Sequence, residues 1–438
     1  MARVSVSQML NALVDLGRQY LDRPAPGRDM DALVARCREL VSAHGEASGT
    51  ALASGIVNDY AALGDDERIE VLRRLDRAFG PDRKAIAAAA AAFTAAPEDD
   101  AAYVKLASAI EAPRQELFRR LNMAPGGTAE IVKMREFLLS RLKDNPELRG
   151  FERDLRHLLA SWFNRGFLQF ERIDWRTPAV VLEKLIEYEA VHEIRGWDDL
   201  RRRLAEDRRC FAFFHPALPD EPLIFVEVAL TNGLAGQVQK LLEADPDPAA
   251  GRKPDTAIFY SISNCQEGLA GISFGNFLIK QVADAVQTEL PHIKRFATLS
   301  PIPGFRRWLD ESLVSDTPAF LSEGDIDLLN RSDWRNNDIA RQQLRQVLLR
   351  LCAHYLVNVK QRGRPVDPVA RFHLGNGASV ERVNWAADLS RKGIEQSAAM
   401  MVNYLYDSEQ IVSNHEAFVR DGEIVASQAV ARLAAGRD

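Results

Sequence analysis

The chain has 438 residues, of which 46% are hydrophobic and 27% charged, and its formal net charge is −6. This length allows two or three domains with their own cores, and the negative balance argues against a general nucleic-acid binder, which would carry a basic excess. Its four scattered cysteines indicate neither a zinc site nor a disulfide framework. No run reaches the roughly 20 apolar residues that span a bilayer, and the N-terminus lacks signal-peptide features. We therefore expect a cytoplasmic protein with neither a nucleic-acid nor a membrane partner.

The first 170 residues carry apolar side chains at helical spacing in one segment after another. Residues 30–43 place Leu33, Val34 and Cys37 on one face, and residues 66–79 repeat the pattern. No strand-like alternation of useful length interrupts these segments. The pattern predicts an all-helical first domain over residues 1–170, packed as an antiparallel bundle.

Strand patterns begin at Cys210. Two runs rich in β-branched and aromatic residues, 210–215 and 223–230, are separated by a proline-rich turn, which predicts an antiparallel hairpin. Later segments have helical spacing at 322–330 and 337–358, and a final helix is predicted to hold Gln396, Met400, Met401 and Tyr404. These patterns together predict an α+β protein, with a helical bundle followed by a mixed α/β domain over residues 171–438.

The stretch from Thr256 to Gly304 has the clearest organisation. Residues 256–263 read as a buried strand, a helical period follows from Asn276 to Leu290, and residues 295–300 alternate again as one short strand. This order predicts a βαβ unit. Because the N-terminus of its helix presents free backbone N–H groups, the preceding loop is a suitable place for a phosphate.

The loop Gly271–Asn276 has two readings. Its two glycines allow a ligand to approach the backbone closely, yet it lacks the lysine and serine or threonine of a nucleotide triphosphatase loop and the spacing of a dinucleotide fingerprint. The loop is either a ligand site or a plain connection between strand and helix. The residues alone leave both open.

Three polar residues stand out beyond this loop. Ser300 ends a strand and is held by the two prolines of the following turn, whereas His373 ends an apolar run beside a glycine turn, where an imidazole can serve as acid or base. The alternatives are a serine that terminates a strand and a histidine buried in the core. Glu227, inside an apolar strand, either faces an edge or enters a site. These residues alone name no reaction.

Four strings at these positions resemble the malonyl-CoA decarboxylase family: His215-Pro-Ala-Leu-Pro219, Leu299-Ser-Pro-Ile-Pro-Gly-Phe305, Phe372-His-Leu-Gly-Asn-Gly-Ala378 and Val402-Asn-Tyr-Leu-Tyr406. The resemblance covers most of residues 160–410 and extends more weakly into the helical domain. It implies that the α/β domain is GNAT-like, with the fold of GNAT acyltransferases. In that fold, the strand–loop–helix unit holds the pyrophosphate of coenzyme A.

The resemblance also implies roles for particular residues. Ser300 and His373 correspond to the family's catalytic pair, with Ser300 orienting the substrate and His373 donating a proton, and Asn376 and Tyr404 are expected as polar supports. The acyl-CoA-binding loop corresponds to Ala270, Gly271, Ile272, Ser273, Phe274, Gly275 and Asn276. Animal members carry a glutamate where this chain has Ser273, so a carboxylate role at that position is not expected here.

The implied reaction converts malonyl-CoA to acetyl-CoA and CO₂ with the thioester as electron sink, so no pyridoxal, thiamine or metal cofactor is expected. Two other functions remain open: an acyltransferase that uses Glu227 or His373 as its base, and an acyl-CoA sensor without catalysis. We expect a homo-oligomer, a dimer or tetramer, that assembles through the helical domain. Lys280 and Lys294 are candidates for the 3′-phosphate of coenzyme A because they lie near the loop in sequence.

Overall fold

The computed structural model describes residues 29–42, 46–242, 253–272, 278–315, 322–330 and 337–436. The chain divides into two compact units. The helical unit comprises Met1–Trp162 together with Glu267–Ile272, and the α/β unit comprises Phe163–Gln266 and Ser273–Asp438. In the described part of the chain, no helix is both long and apolar enough to cross a membrane.

The helical unit packs its helices around large apolar side chains. Leu72, Leu117, Phe118 and Phe151 are fully buried, and the rings of Phe118 and Phe151 meet edge to face at 5.0 Å. Aspartate caps and a proline at the first helical position start several of the helices. The helices are α1 (Met30–Ser42), α2 (Glu46–Ala61), α3 (Asp65–Phe79), α4 (Arg83–Ala95), α5 (Asp100–Ile110), α6 (Pro113–Asn122), α7 (Gly127–Arg141) and α8 (Arg149–Trp162).

The α/β unit surrounds an eight-stranded sheet with helices. The strands are β1 (Gln169–Ile173), β2 (Arg208–Phe214), β3 (Ile224–Thr231), β4 (Thr256–Asn264), β5 (Arg295–Thr298), β6 (Ser300–Pro301), β9 (Ser379–Asn384) and β10 (Met401–Tyr406), while β7 (Lys360–Gln361) and β8 (Arg364–Pro365) form a separate ribbon. The helices are α9 (Ala179–Tyr188), α10 (Trp197–Arg203), α11 (Gln239–Leu242), α12 (Leu278–Glu289), α13 (Phe305–Ser315), α14 (Glu323–Asn330), α15 (Asp338–Gln343), α16 (Arg345–Asn358), α17 (Pro368–Gly375), α18 (Arg391–Ser397), α19 (Ile411–Asp421) and α20 (Gln428–Ala434).

The strand order is β1-β2-β3-β4-β5-β10-β6, with β9 also paired to β10. The predicted hairpin of β2 and β3 is confirmed as an antiparallel pair, and β4, α12 and β5 form the predicted βαβ unit with β4 and β5 parallel. The β4–β5 ladder ends at Phe259, and in the described chain β4 continues past an irregularity at Tyr260, with Ser261–Asn264 paired only with β3. One edge of this half-strand is therefore left without a neighbouring strand.

Two predictions about the sheet are wrong. The predicted strand over 295–300 is two strands, β5 and β6, which are separated by Leu299 and both pair with β10. The predicted final helix ends at Ser397, so Gln396 lies in α18 but Met401 and Tyr404 lie in β10. The apolar and aromatic residues from 401 to 406 fill the centre of a sheet, where β-branched and aromatic side chains pack well. The predicted helix over 337–358 is also divided, at Leu344.

Candidate active site

Ser300 and His373 are brought together although they lie 73 residues apart. Ser300 opens β6 and His373 lies in the last turn of α17, and the Ser300 Oγ is 3.0 Å from the His373 Nε2. Both side chains are buried, with 5% and 3% of their surface exposed. The two residues predicted as a pair thus share a hydrogen bond within the α/β unit.

Two further hydroxyl groups extend this pair into a network. The Ser300 Oγ donates to the Thr298 Oγ1 at 2.8 Å, and the His373 Nδ1 lies 2.8 Å from the Tyr406 hydroxyl. Because the Ser300 hydroxyl donates to Thr298, we assign the imidazole hydrogen to Nε2, which then donates to Ser300. The Nδ1 then accepts the hydrogen of Tyr406. We call Thr298, Ser300, His373 and Tyr406 the hydroxyl–imidazole network.

The network carries no charge at neutral pH. Complete burial lowers the pKa of His373 from 6.5 to about 3, because the imidazolium form would lose its hydration. Burial also raises the pKa of the Tyr406 phenol well above its ordinary value of 10. The imidazole is therefore a neutral ring with one N–H directed at Ser300.

A buried carboxylate holds the two elements that carry the pair. Asp367 caps α17, where its Oδ1 accepts from the backbone N–H groups of Val369 and Ala370 at 2.9 Å. Its Oδ2 accepts from the backbone N–H of Gly304 at 3.3 Å. A side chain at Gly304 would overlap the Tyr355 hydroxyl, so glycine is required in this turn. Asp367 thus joins the turn that follows Ser300 to the start of the helix that ends near His373.

The two predicted polar supports lie in different places. The ring of Tyr404 stacks on the imidazole of His373 with centroids 4.6 Å apart, but its hydroxyl is buried without a partner among the described residues. The amide of Asn376 donates to the carbonyl of Phe372 at 2.7 Å at the end of α17. Tyr404 therefore supports the imidazole by packing, whereas Asn376 closes a helix; their predicted polar roles stay predictions.

The network opens on a cavity of about 270 Å³. Ser300 and His373 line it together with apolar side chains, among them Val226, Phe259, Ile262, Leu278, Ile279 and Phe372. The cavity also borders the half of β4 that has no neighbour on one edge, from Tyr260 to Asn264. None of the described residues that line it is a lysine, an arginine, an aspartate or a glutamate. A ligand here meets hydroxyl groups, an imidazole and apolar walls.

Family models match nearly the whole region from residue 79 onward. Residues 79–163 match the malonyl-CoA decarboxylase N-terminal domain, and residues 166–437 match the malonyl-CoA decarboxylase C-terminal domain. The chain belongs to the malonyl-CoA decarboxylase family. It is therefore an enzyme of the decarboxylase class, a carboxy-lyase.

Full-length relatives and solved structures agree with this assignment. The chain is 38% identical over 397 residues to a mitochondrial malonyl-CoA decarboxylase of Anser anser anser, with 83% of this chain and 79% of the relative covered. For the rat enzyme the identity is 35%, with coverage of 86% and 84%. The malonyl-CoA decarboxylase structure from Rhodopseudomonas palustris matches with a TM-score of 0.86 and 48% identity, covering 92% of this chain and 99% of that one. The Agrobacterium vitis structure gives 0.85 and 46%, with the same coverage. The predicted architecture, a helical region followed by a mixed α/β domain, is confirmed.

The acyl-CoA-binding loop that the decarboxylase family implies is described only in its first part. Ala270, Gly271 and Ile272 form a turn, in which Gly271 has a φ of +73° that favours glycine. Ser273, Phe274, Gly275 and Asn276 lie outside the described residues. The helix α12 follows at Leu278, with Lys280 in its first turn.

Glu227 has no part in the cavity of this decarboxylase. It lies in β3, fully buried, and forms an ion pair with Arg203 of α10. Its Oε1 has no hydrogen-bond partner among the described residues. The structure therefore places Glu227 in the interior of the unit and not at an edge.

Neither a metal site nor a reactive thiol is evident in the described residues. No group of three or more histidine, cysteine, aspartate or glutamate side chains there could hold a metal ion. Cys37, Cys210, Cys265 and Cys352 are all free and buried, and burial raises the pKa of each thiol above its ordinary value.

Sequence reasoning missed Thr298 and Tyr406. Thr298 lies two residues before Ser300, so the predicted strand over 295–300 already places both side chains on one face. Tyr406 lies two residues after Tyr404, and side chains two apart on a strand share a face. Recognising β10 as a strand would have selected both tyrosines together.

Proposed function

We propose that this enzyme converts malonyl-CoA to acetyl-CoA and CO₂ in the cavity beside Ser300 and His373. The observation that carries the proposal is the uncharged hydroxyl–imidazole network at the wall of a cavity whose described lining residues include no lysine or arginine. Such a site offers polar groups to a thioester but no counter-charge to a carboxylate.

The cavity favours loss of the carboxylate. A malonyl carboxylate that enters it leaves water and meets no lysine or arginine among the described lining residues. Loss of CO₂ moves the negative charge through the C–C bond into the thioester, where it is spread over the enolate oxygen. Donors directed at that oxygen stabilise the charge more as it develops than in the ground state. The thioester is thus the electron sink, and the Ser300 hydroxyl orients the substrate by turning its hydrogen from Thr298 to the thioester.

The second half of the reaction is protonation of the enolate. The His373 Nε2 carries the hydrogen in this network, and the carbon of a thioester enolate is basic enough to take it from a neutral ring. The Tyr406 hydroxyl keeps that hydrogen on Nε2 by occupying Nδ1. The ring then recovers a proton from solvent, so one malonyl-CoA and one proton give one acetyl-CoA and one CO₂.

Coenzyme A would be held by the loop Ala270–Asn276 and by β4. The N-terminus of α12 follows this loop and suits the pyrophosphate. The open edge of β4, from Tyr260 to Asn264, carries backbone groups that the sheet does not pair on that side, and the pantetheine chain has two amide groups that can bond to such an edge.

The contacts disfavour the acyltransferase alternative. A base that removes a proton from an ammonium group must bind that proton, and an imidazole with a pKa of about 3 does so weakly. Glu227 does not line the cavity and is held by Arg203. A sensor without catalysis would bind acyl-CoA but leave it intact.

The deciding measurement is CO₂ release from malonyl-CoA with no acyl acceptor present. We expect turnover with acetyl-CoA as the other product in a one-to-one ratio. Transfer that requires an amine would establish the acyltransferase, and saturable binding without any product would establish the sensor.

We also propose that residues 1–170 and 171–438 are separate domains and that the first mediates a homo-oligomer, a dimer or a tetramer. The hairpin of α4 and α5 supports this, because Tyr103, Val104 and Ile110 are 60%, 59% and 58% exposed. A Tyr103→Glu, Val104→Glu variant should reduce the mass measured by light scattering while its circular dichroism is retained. An unchanged mass would remove this surface from the assembly.

A cytoplasmic location is proposed as well. All four cysteines are free, as is usual for a protein from a reducing compartment. Fractionation of the source cells with an antibody against the chain tests this, and recovery in a membrane or organelle fraction would contradict it.

A further inference from the structure

The segment Glu267–Leu269, a 3₁₀ turn between β4 and α12, packs within the helical unit. Gly268 and Leu269 are buried there, and a side chain at Gly268 would overlap the carbonyl oxygen and the side chain of Val132 in α7. The backbone of the segment therefore lies directly against the backbone of a helix. Only glycine allows this approach.

One buried guanidinium fixes the same segment. Arg135 of α7 is 1% exposed, and its Nη1 and Nη2 donate to the carbonyl oxygens of Gly268 at 2.7 Å and Ala270 at 2.8 Å. Its Nε and Nη2 also donate to Glu152, which supplies the compensating charge. Hydrogen bonds from a charged donor are stronger than neutral ones, and the planar guanidinium fixes the direction of both carbonyls.

We propose that Arg135 is a positioning residue for coenzyme A binding, because it holds the first residue of the acyl-CoA-binding loop. The inference rests on the proposed role of Ala270–Asn276. A loop whose start is fixed before the ligand arrives loses less conformational entropy on binding. Arg135 touches neither the cavity nor the hydroxyl–imidazole network, so it acts on binding and leaves the chemical step alone.

A second buried arginine of the helical unit provides a matched control. Arg114 is 3% exposed and pairs with Asp76 and Asp154, and among the described residues it forms no hydrogen bond to the segment 267–272. Replacing either arginine by methionine removes a buried, paired guanidinium from the same unit. Only Arg135 also releases two carbonyls of the segment.

The experiment compares Arg135→Met, Gly268→Ala and Arg114→Met in the full chain. For each variant we measure kcat and KM for malonyl-CoA, the Kd for acetyl-CoA and the midpoint of thermal unfolding. We expect KM and Kd to rise about tenfold or more in Arg135→Met, with kcat within about threefold. Gly268→Ala should show the same split, because it displaces the segment without removing a charge. Arg114→Met should lower the midpoint but leave KM and Kd unchanged.

Two outcomes would overturn the proposal. One is unchanged KM and Kd in folded Arg135→Met or Gly268→Ala, and the other is an equal change in Arg114→Met. If Arg135→Met does not fold, Arg135→Lys replaces it, since a single ammonium retains the charge beside Glu152 but loses the fork that bonds two carbonyls. Absence of CO₂ release in the wild-type protein would instead contradict the proposed function itself, so the two failures are distinguishable.

Discussion

The α/β unit contains two buried polar clusters of opposite character. The hydroxyl–imidazole network consists of neutral groups, with Ser300 and His373 at the wall of the cavity. The second, which we call the ion-pair cluster, consists of Glu189, Arg203, Glu227 and Ser261. In it Arg203 pairs with Glu227, and the Ser261 hydroxyl lies 2.8 Å from both oxygens of Glu189.

The difference separates a reactive site from a structural one. Charges inside a protein are tolerated where each has a partner, and the ion-pair cluster meets that condition with side chains and backbone. The hydroxyl–imidazole network is uncharged and needs no counter-charge, so it can line a cavity that receives a charged ligand. Both clusters are buried, so what distinguishes the proposed active site is the combination of burial, neutrality and an adjoining cavity.

The largest expected effect is on stability, from the ion-pair cluster. Arg203→Met leaves the buried Glu227 without its partner, and the free energy of unfolding should fall by about 3–5 kcal/mol. The kcat of the folded variant should remain within about threefold, because neither Arg203 nor Glu227 lines the cavity. Urea denaturation and steady-state kinetics measure the two quantities. A double variant, Arg203→Met with Glu227→Leu, should recover part of the lost free energy of unfolding. An Arg203→Met variant that is stable but inactive would mean that the ion-pair cluster serves catalysis and not stability.

Variants of the hydroxyl–imidazole network should show the opposite pattern. Ser300→Ala and His373→Ala each remove a positioned donor, and we expect kcat to fall by about 10²–10³ or more while acetyl-CoA still binds. Isothermal titration with acetyl-CoA and a CO₂ assay measure these effects. Near-normal turnover in either variant would remove that residue from the mechanism.

Because His373 is neutral in the folded protein, we expect the free energy of unfolding to depend on pH. Its pKa is about 3 in the folded protein and 6.5 when unperturbed, so between these values the unfolded chain binds a proton that the folded chain does not. As pH falls from 6.5 toward 3, this side chain should lower the free energy of unfolding by about 1.4 kcal/mol per pH unit.

Urea denaturation at pH 6.5 and pH 5 of the wild type and of His373→Gln isolates this contribution. The wild type should lose about 2 kcal/mol more than the variant over that interval. The profile of kcat/KM should also lack an inflection near pH 6.5. A wild type and variant with parallel pH dependence would mean that the imidazole is charged in the folded state.

The smallest expected effect is that of Tyr406→Phe. The variant keeps the ring but frees Nδ1, so the imidazole hydrogen can occupy either nitrogen, and kcat should fall about tenfold. KM should change little. As a control, Tyr404→Phe removes a hydroxyl that has no described partner and should leave kcat nearly unchanged. A larger loss of kcat in Tyr404→Phe than in Tyr406→Phe would mean that the Tyr404 hydroxyl, and not that of Tyr406, supports the imidazole.

Much of the α/β unit follows from local periodicity. The alternation before and after α12 and the change of period at the helix predicted the βαβ unit, and the proline-rich turn predicted the β2–β3 hairpin. Ser300 and His373 were selected by the family strings, and their proximity is a property of the fold. The helical unit was predicted because its apolar side chains recur at helical spacing in one segment after another.

Other parts depend on distant contacts that no local pattern contains. β10 reads as helix because its apolar residues continue from α18, yet its partners β5, β6 and β9 supply the backbone hydrogen bonds that make it a strand. Arg203 and Glu227 are 24 residues apart, and their pairing requires α10 to pack beside β3.

The carboxylate of Asp367 has a consequence for the pair that it does not touch. It bonds both to the turn after Ser300 and to the first residues of the helix that carries His373. Asp367 is therefore a common anchor for the two elements that carry the serine and the imidazole. We expect a displacement of Asp367 to move both elements together, so that the distance between the Ser300 Oγ and the His373 Nε2 changes less than the position of either group.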